Sequence, residues 1–224
     1  MRFLKLLLGI ALLPAAAAVT GALANLLLAL PSSHGGIPEG LWWFAGGFAL
    51  WLLLWVSLPR PARTYVLAHE LTHALWGWAM GARVSKLRVR GDGGSVNLSK
   101  TNVWITLAPY FFPLYTMLVI VAHLLMQMFW PWMVHYEPFW LAMVGLTWAF
   151  HITFTLAVLQ QRQPDVQEHG RIFSWTLIYI LNIAGMLVWI LAVTRGDWFG
   201  CAGSLIRHLV SSYGAILRIV SHAK

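Results

Sequence analysis

Residues 64–80 read Thr64-Tyr65-Val66-Leu67-Ala68-His69-Glu70-Leu71-Thr72-His73-Ala74-Leu75-Trp76-Gly77-Trp78-Ala79-Met80, an apolar run with His69-Glu70-Leu71-Thr72-His73 at its centre. A bilayer core of about 30 Å needs about 20 helical residues, so the run is nearly long enough to cross one. Two histidines four apart on a helix are separated by roughly 400° of turn, so both imidazoles leave nearly the same face and can reach one metal ion. Glu70 lies one step round, placed to activate a water at that metal. With nine His and four Glu in 224 residues, this pattern arises by chance with a probability on the order of one in a hundred. A charged group at mid-membrane costs about 2.5–3.5 kcal/mol, which favours a compensating partner such as a cation. The plainer alternative is that these polar groups only bond neighbouring helices.

The rest of the chain agrees with a membrane setting. Apolar residues make up 59% and charged residues 10%, and the mean hydropathy is +0.70, values that belong to a polytopic membrane protein. Tryptophans gather near the ends of apolar runs, as at Trp42 and Trp43 or Trp130, Trp132 and Trp140, where an amphipathic ring anchors at headgroup level. The net charge of +8 reflects few acids more than many bases. It implies attraction to anionic lipid, and with no basic tract or nucleic-acid-binding motif it excludes a nucleic-acid partner. The single cysteine, Cys201, excludes an internal disulfide and a thiolate zinc site, so a metal must be held by His and carboxylate.

Six apolar segments predict about six transmembrane helices in an all-α polytopic fold: Phe3 to Leu30, Gly40 to Leu58, Thr64 to Met80, Val103 to Trp130, Phe139 to Leu159 and Phe173 to Thr194. The third is the shortest and most polar, and is expected to be shielded from lipid by the fourth and sixth. The first resembles a signal peptide in its Arg2 and Lys5, but its apolar length exceeds a usual h-region, so a retained helix is expected. Between the third and fourth segments, Leu87 and Val89, then Val96 and Leu98, alternate with polar residues across Gly91-Asp92-Gly93-Gly94. This predicts a β-hairpin over 84–99, either a simple surface connection or a strand edge able to pair with an extended peptide. From residue 195 onward, apolar residues from Leu205 to Val220 recur at helical spacing opposite Arg207, His208, Ser211, Ser212 and Arg218. They predict an amphipathic helix lying at the membrane interface. Basic residues divide almost evenly between the two sides, so the sequence does not orient the chain.

A catalytic zinc usually takes three protein ligands and keeps one open position. Glu39, Asp92, Glu137 and Asp197 fall in loops, of which only the Asp92 turn could approach a mid-helix site. The remaining acids stand in Gln163-Pro164-Asp165-Val166-Gln167-Glu168-His169-Gly170. Pro164 suits the first turn of a helix, and a break there lets Asp165 turn inward as the third ligand. The competing role for Asp165 is an acid interacting with a helix dipole. His169 is the reserve ligand, one turn on, followed by Glu168. His34, His123, His135 and His208 show no metal-ligand spacing.

His69-Glu70-Leu71-Thr72-His73 in a membrane helix, a following hairpin, Leu107-Ala108-Pro109-Tyr110 and Gln163-Pro164-Asp165 together resemble the site-two protease family of intramembrane zinc metalloproteases. The likeness covers residues 64–194, leaving 1–63 as accessory N-terminal helices and 195–224 as the amphipathic tail. It implies one Zn2+ per chain held by His69, His73 and Asp165, Glu70 as general base, and a hairpin that aligns an unwound substrate segment. Where family members commonly carry an Asn-Pro-rich stretch ending in Leu-Asp-Gly, this chain has Gln-Pro before Asp165 and Val166 after it. The expected reaction is hydrolysis of a peptide bond in a membrane-anchored protein. A developing oxyanion needs a donor, for which His151 in the fifth segment and Asn182 in the sixth are candidates, each also readable as a packing group bonded to a neighbouring helix. Two alternatives use the same residues: a membrane protein that binds or transports metal, and an inactive relative that grips a partner's transmembrane helix.

Overall fold

The apolar runs fold as helices because backbone N–H and C=O groups in lipid must be satisfied within the segment itself. The computed structural model describes residues 2–90 and 93–222. In chain order it contains α1 (Arg2–Ala11), α2 (Leu13–His34), α3 (Glu39–Ser57), α4 (Ala62–Ala79), β1 (Val84–Val89), β2 (Gly94–Leu98), α5 (Val103–Phe111) and α6 (Leu114–Phe129). A 3-10 turn (Pro131–Tyr136), α7 (Glu137–Leu159), α8 (Pro164–His169), α9 (Arg171–Thr194) and α10 (Trp198–His222) follow. Two units result: 39–166, and a second built from 1–38 with 167–224. The division falls within α8.

Among the described residues four helices are long and apolar enough to cross a membrane, Phe3–Leu30, Glu39–Ser57, Pro131–Leu159 and Arg171–Thr194, or five if a bent pair counts as one span. Six was the expectation from sequence. The bent pair is the fourth apolar segment, which is not one straight helix: α5 and α6 meet at 75° across Phe112 and Pro113, where proline withdraws a backbone donor. The histidine-bearing α4 is not among the four, because its polar residues lower its hydropathy.

In unit 39–166, α3 and α7 lie backbone to backbone. A Cβ on Gly47 would stand 1.8 Å from the Ala142 carbonyl oxygen, and one on Gly145 would stand 1.9 Å from that of Phe44. Small residues permit this approach, and dispersion contacts along both helices stabilise it. Gly47→Leu is therefore expected to destabilise the unit by about 1–3 kcal/mol. Gly46→Ala, where nothing lies within 4 Å, should be silent. Thermal unfolding of the two variants in detergent measures the difference.

Trp51, Tyr65, Ala149, Phe150 and Phe154 form an aromatic core beside this contact. Tyr65 stacks on Phe154 with ring centroids 4.7 Å apart and planes within 6°, which docks α4 on α7. The other side of α4 carries α5, the first half of the fourth segment, and the hairpin. Leu98 of β2 fills the space that a Cβ on Gly77 would take.

The hairpin forms as the alternation predicts, β1 antiparallel to β2 with Val84 opposite Leu98 and Val89 opposite Gly94. One extra residue in β1 between Ser85 and Arg88 makes a bulge, and Lys86 takes a φ of 52° there. Gly91 and Asp92 of its turn lie outside the described residues.

In the second unit the amphipathic C-terminal helix forms as α10 and packs along the first helices: Asn25 Nδ2 meets Ser204 Oγ at 3.2 Å and His208 Nε2 at 2.9 Å, and the Tyr213 hydroxyl donates to the Ala11 carbonyl at 2.8 Å. Ser204 and His208 face these partners, while Arg207, Ser211 and Arg218 are exposed together with Phe199, Ile206, Val210 and Leu217. An amphipathic pattern gives the stripe but not which of its members a neighbouring helix engages. Hydrogen bonds between helices satisfy the polar groups that do pack inward.

Candidate metal centre

His69 and His73 share one face of α4 because they are one turn apart, and Tyr65 precedes them by one turn on the same face. Asp165 arrives from a different part of the chain. Pro164 opens α8 and Gly170, at a φ of 88°, ends it, so the six-residue helix presents Asp165 in its first turn. Asp165 Oδ2 lies 3.5 Å from His69 Nε2 and 3.4 Å from His73 Nε2. One donor atom from each of the three residues falls within 4.8 Å of the other two, the one such group among the described residues.

These separations exceed the roughly 2.7–2.9 Å of a charge-assisted hydrogen bond. They match the edge of a coordination tetrahedron, since ligand atoms about 2.0–2.1 Å from one ion stand about 3.3–3.4 Å from each other. Two imidazoles and a carboxylate are also the donor set that a borderline divalent cation takes. The residues present therefore fit a metal ion.

No family model, curated protein or solved structure matches the chain.

The surroundings orient each donor. His73 Nδ1 is hydrogen-bonded to the Ile105 carbonyl at 2.9 Å, which requires an N–H on Nδ1 and leaves the Nε2 lone pair facing Asp165. That carbonyl is available because the residue four positions on, Pro109, has no N–H to bond it. Asn102 fixes the same turn of α5, its Oδ1 accepting from the Ile105 N–H at 3.0 Å. His69 Nδ1 stands 3.3 Å from the Tyr65 hydroxyl, a group that both donates and accepts, so this contact orients the ring without setting its tautomer. The Tyr110 hydroxyl, on a fully buried ring, donates to Asp165 Oδ2 at 3.0 Å. Burial alone would raise the Asp165 carboxyl; facing imidazoles that carry a proton on Nε2 outweigh it and hold the group well below the usual carboxylate range, and a cation bound between the Nε2 lone pairs and the carboxylate takes the place of those protons. It is thus a carboxylate that faces them.

Glu70 is buried beneath the start of β2. A Cβ on Gly94 would stand 2.5 Å from Glu70 Cγ and 2.7 Å from Val66 Cγ1, so a glycine is needed for the strand to pass over this side of α4. His151 lines a small cavity whose walls include His69, Tyr65 and Thr72, so it stands beside the cluster. Asn182 does not belong to this unit; on α9 its Nδ2 donates to the Ile178 carbonyl at 2.9 Å. His169 and Glu168 are not in the cluster. His169 Nδ1 is hydrogen-bonded to Lys5 Nζ, and its Nε2 lies 4.0 Å from Glu168 Oε1.

Tyr65 and the Ile105 carbonyl were not singled out from sequence, and Tyr110 stood there only within the motif Leu107-Ala108-Pro109-Tyr110, with no role of its own. Two of them left a readable signal: Tyr65 is spaced four residues before His69, and Pro109 is spaced four after Ile105. Tyr110→Phe keeps the buried ring and removes the donor to Asp165. It is expected to weaken metal binding about 10–100-fold, the usual effect of losing an outer hydrogen bond at a metal site. Metal titration of the purified variant measures this directly.

Proposed function

We propose that the protein is an intramembrane zinc metalloprotease of the site-two type, embedded as a multi-pass membrane protein and hydrolysing peptide bonds in or near the transmembrane segment of a membrane-anchored substrate. The observation that carries this reading is the meeting of His69, His73 and Asp165, with Asp165 Oδ2 one tetrahedral edge from each Nε2 and a donor atom of all three within 4.8 Å of the others, and with a buried glutamate next in sequence to the first histidine. A zinc ion held by His69, His73 and Asp165 would supply Lewis acidity toward a scissile carbonyl and would acidify a water. Glu70 would serve as the general base that takes the proton and returns it to the leaving amine. Its burial under the hairpin keeps bulk water from competing for the proton.

Other parts of the unit have matching roles in this reading. His151, on the cavity beside His69, is the donor for the developing oxyanion. The sheet has two strands only, so each keeps one unpaired edge, and β1 is exposed along its length. A substrate segment that has unwound from its helix can add there by main-chain hydrogen bonds, which also holds its carbonyls free of helical partners. The motifs around residues 69–73, 107–110 and 163–165 support the family likeness.

Transport of metal would need successive ligand groups across several helices, whereas the described residues hold one compact group. The test pairs metal analysis of detergent-purified protein with proteomics of membrane-anchored fragments in cells carrying wild type or Glu70→Gln. The reading requires fragments that depend on Glu70; identical fragment profiles from the two cell lines would contradict it.

A further inference from the structure

A second cavity, of about 470 Å³, lies within the other unit, walled by α2, the turn after α9 and the first half of α10. Its size suits a small-molecule or headgroup ligand, such sites running about 300–1,000 Å³. The spans Phe3–Leu30 and Arg171–Thr194 both end at it, because Leu30 and Arg195 are among its lining residues. A cleft where two spans end sits at the level of lipid headgroups.

One wall is apolar, formed by Leu26, Ala29 and Leu30 of α2, and the opposite side carries Arg195 and Arg207. The ion pairs among the described residues all involve histidine, so among these residues neither arginine has a carboxylate partner within 4 Å. Asp197 also lines the cleft, but its Oδ1 is engaged as the cap of α10, accepting from the Gly200 N–H at 2.9 Å. Two guanidinium groups against one engaged carboxylate leave the cleft with a net positive charge.

Both arginines belong to the lining of the cleft. Arg195 takes a left-handed conformation with φ 49°, which glycine would adopt without strain, so the turn itself does not call for arginine. Arg207 Nη1 lies 3.4 Å from where a Cβ on Gly203 would stand, so its side chain is folded back one turn toward the start of α10. Asn25, bonded to Ser204 and His208, ties α2 to α10 along the polar side.

We infer that this cleft binds an anionic phospholipid, its phosphate between Arg195 and Arg207 and its acyl chain against Leu26, Ala29 and Leu30. An arginine fork matches phosphate oxygens in geometry and charge, and a basic pocket between membrane helices next to an apolar wall selects an anion that carries a hydrocarbon tail. The site is independent of the metal centre and of the proposed protease activity.

The test is native mass spectrometry of the full-length protein in detergent, titrated with phosphatidylglycerol, phosphatidylcholine or inorganic phosphate. Phosphatidylglycerol is expected to bind at least about tenfold more tightly than phosphatidylcholine. The pair Arg195→Gln and Arg207→Gln should abolish that preference, the pair Arg195→Lys and Arg207→Lys should retain part of it, and Ala29→Trp, which fills the apolar side, should remove binding with both arginines present. Circular dichroism reports whether each variant is folded, and the lysine and tryptophan variants still decide the matter if the glutamine pair does not fold. Equal binding of both lipids, or a preference unchanged by either Arg→Gln or Ala29→Trp, would overturn the inference. Displacement by inorganic phosphate at the lipid's own concentration would make this a free-phosphate site and overturn the assignment to lipid.

Discussion

Glu70→Gln is expected to leave one zinc per chain in place and to lower the rate of peptide hydrolysis by about 10²–10⁴-fold, the usual contribution of a positioned general base. The side chain is not one of the three clustered donors, so its charge is not needed to hold the ion. Glutamine has nearly the same volume and keeps hydrogen-bonding capacity in a buried position, so packing under Gly94 should survive. An amide cannot accept the proton that the reaction must move. Metal content by elemental analysis and turnover of a membrane-anchored substrate by the purified variant give the two readouts. Unchanged proteolysis would remove Glu70 from the chemistry.

Asp165→Ala is expected to strip the site of metal under conditions where wild type stays loaded. Loss of a direct ligand should exceed the roughly 10–100-fold effect of an outer partner, and the two imidazoles left behind form a neutral pair with no anionic donor. The fall in affinity should therefore be larger than that of Tyr110→Phe, an ordering that separates a ligand from a residue that positions one. Full occupancy in the Asp165 variant would move the third-ligand assignment to His169 or Glu168, neither of which joins the cluster in this fold.

The pairing of His69 with His73 was legible because helical periodicity alone puts residues four apart on one face. Asp165 was legible for a different reason: few acids exist in the chain, and Pro164 marks a helix start that sets it apart. Tertiary partners were harder to read. That His73 meets the Ile105 carbonyl depends on how α5 docks on α4, and a periodicity argument does not extend across elements. The same limit explains α10. Its amphipathic stripe was readable, but whether the polar side meets water or meets Asn25 depends on the neighbouring helix. Counting apolar runs gave six spans because a run hides the break at Pro113 and does not weigh the polar residues that α4 needs for its site. The β-hairpin was visible as a change of period, while the bulge at Lys86 was not, since one inserted residue leaves a short alternation looking intact.

X-ray absorption at the zinc edge of the purified wild-type protein decides whether His69, His73 and Asp165 hold one zinc ion. One zinc per chain is expected, with imidazole and oxygen neighbours at about 2.0–2.1 Å and no sulfur shell. Absence of metal after purification in zinc-containing buffer, or a shell dominated by sulfur at about 2.3 Å, would contradict it.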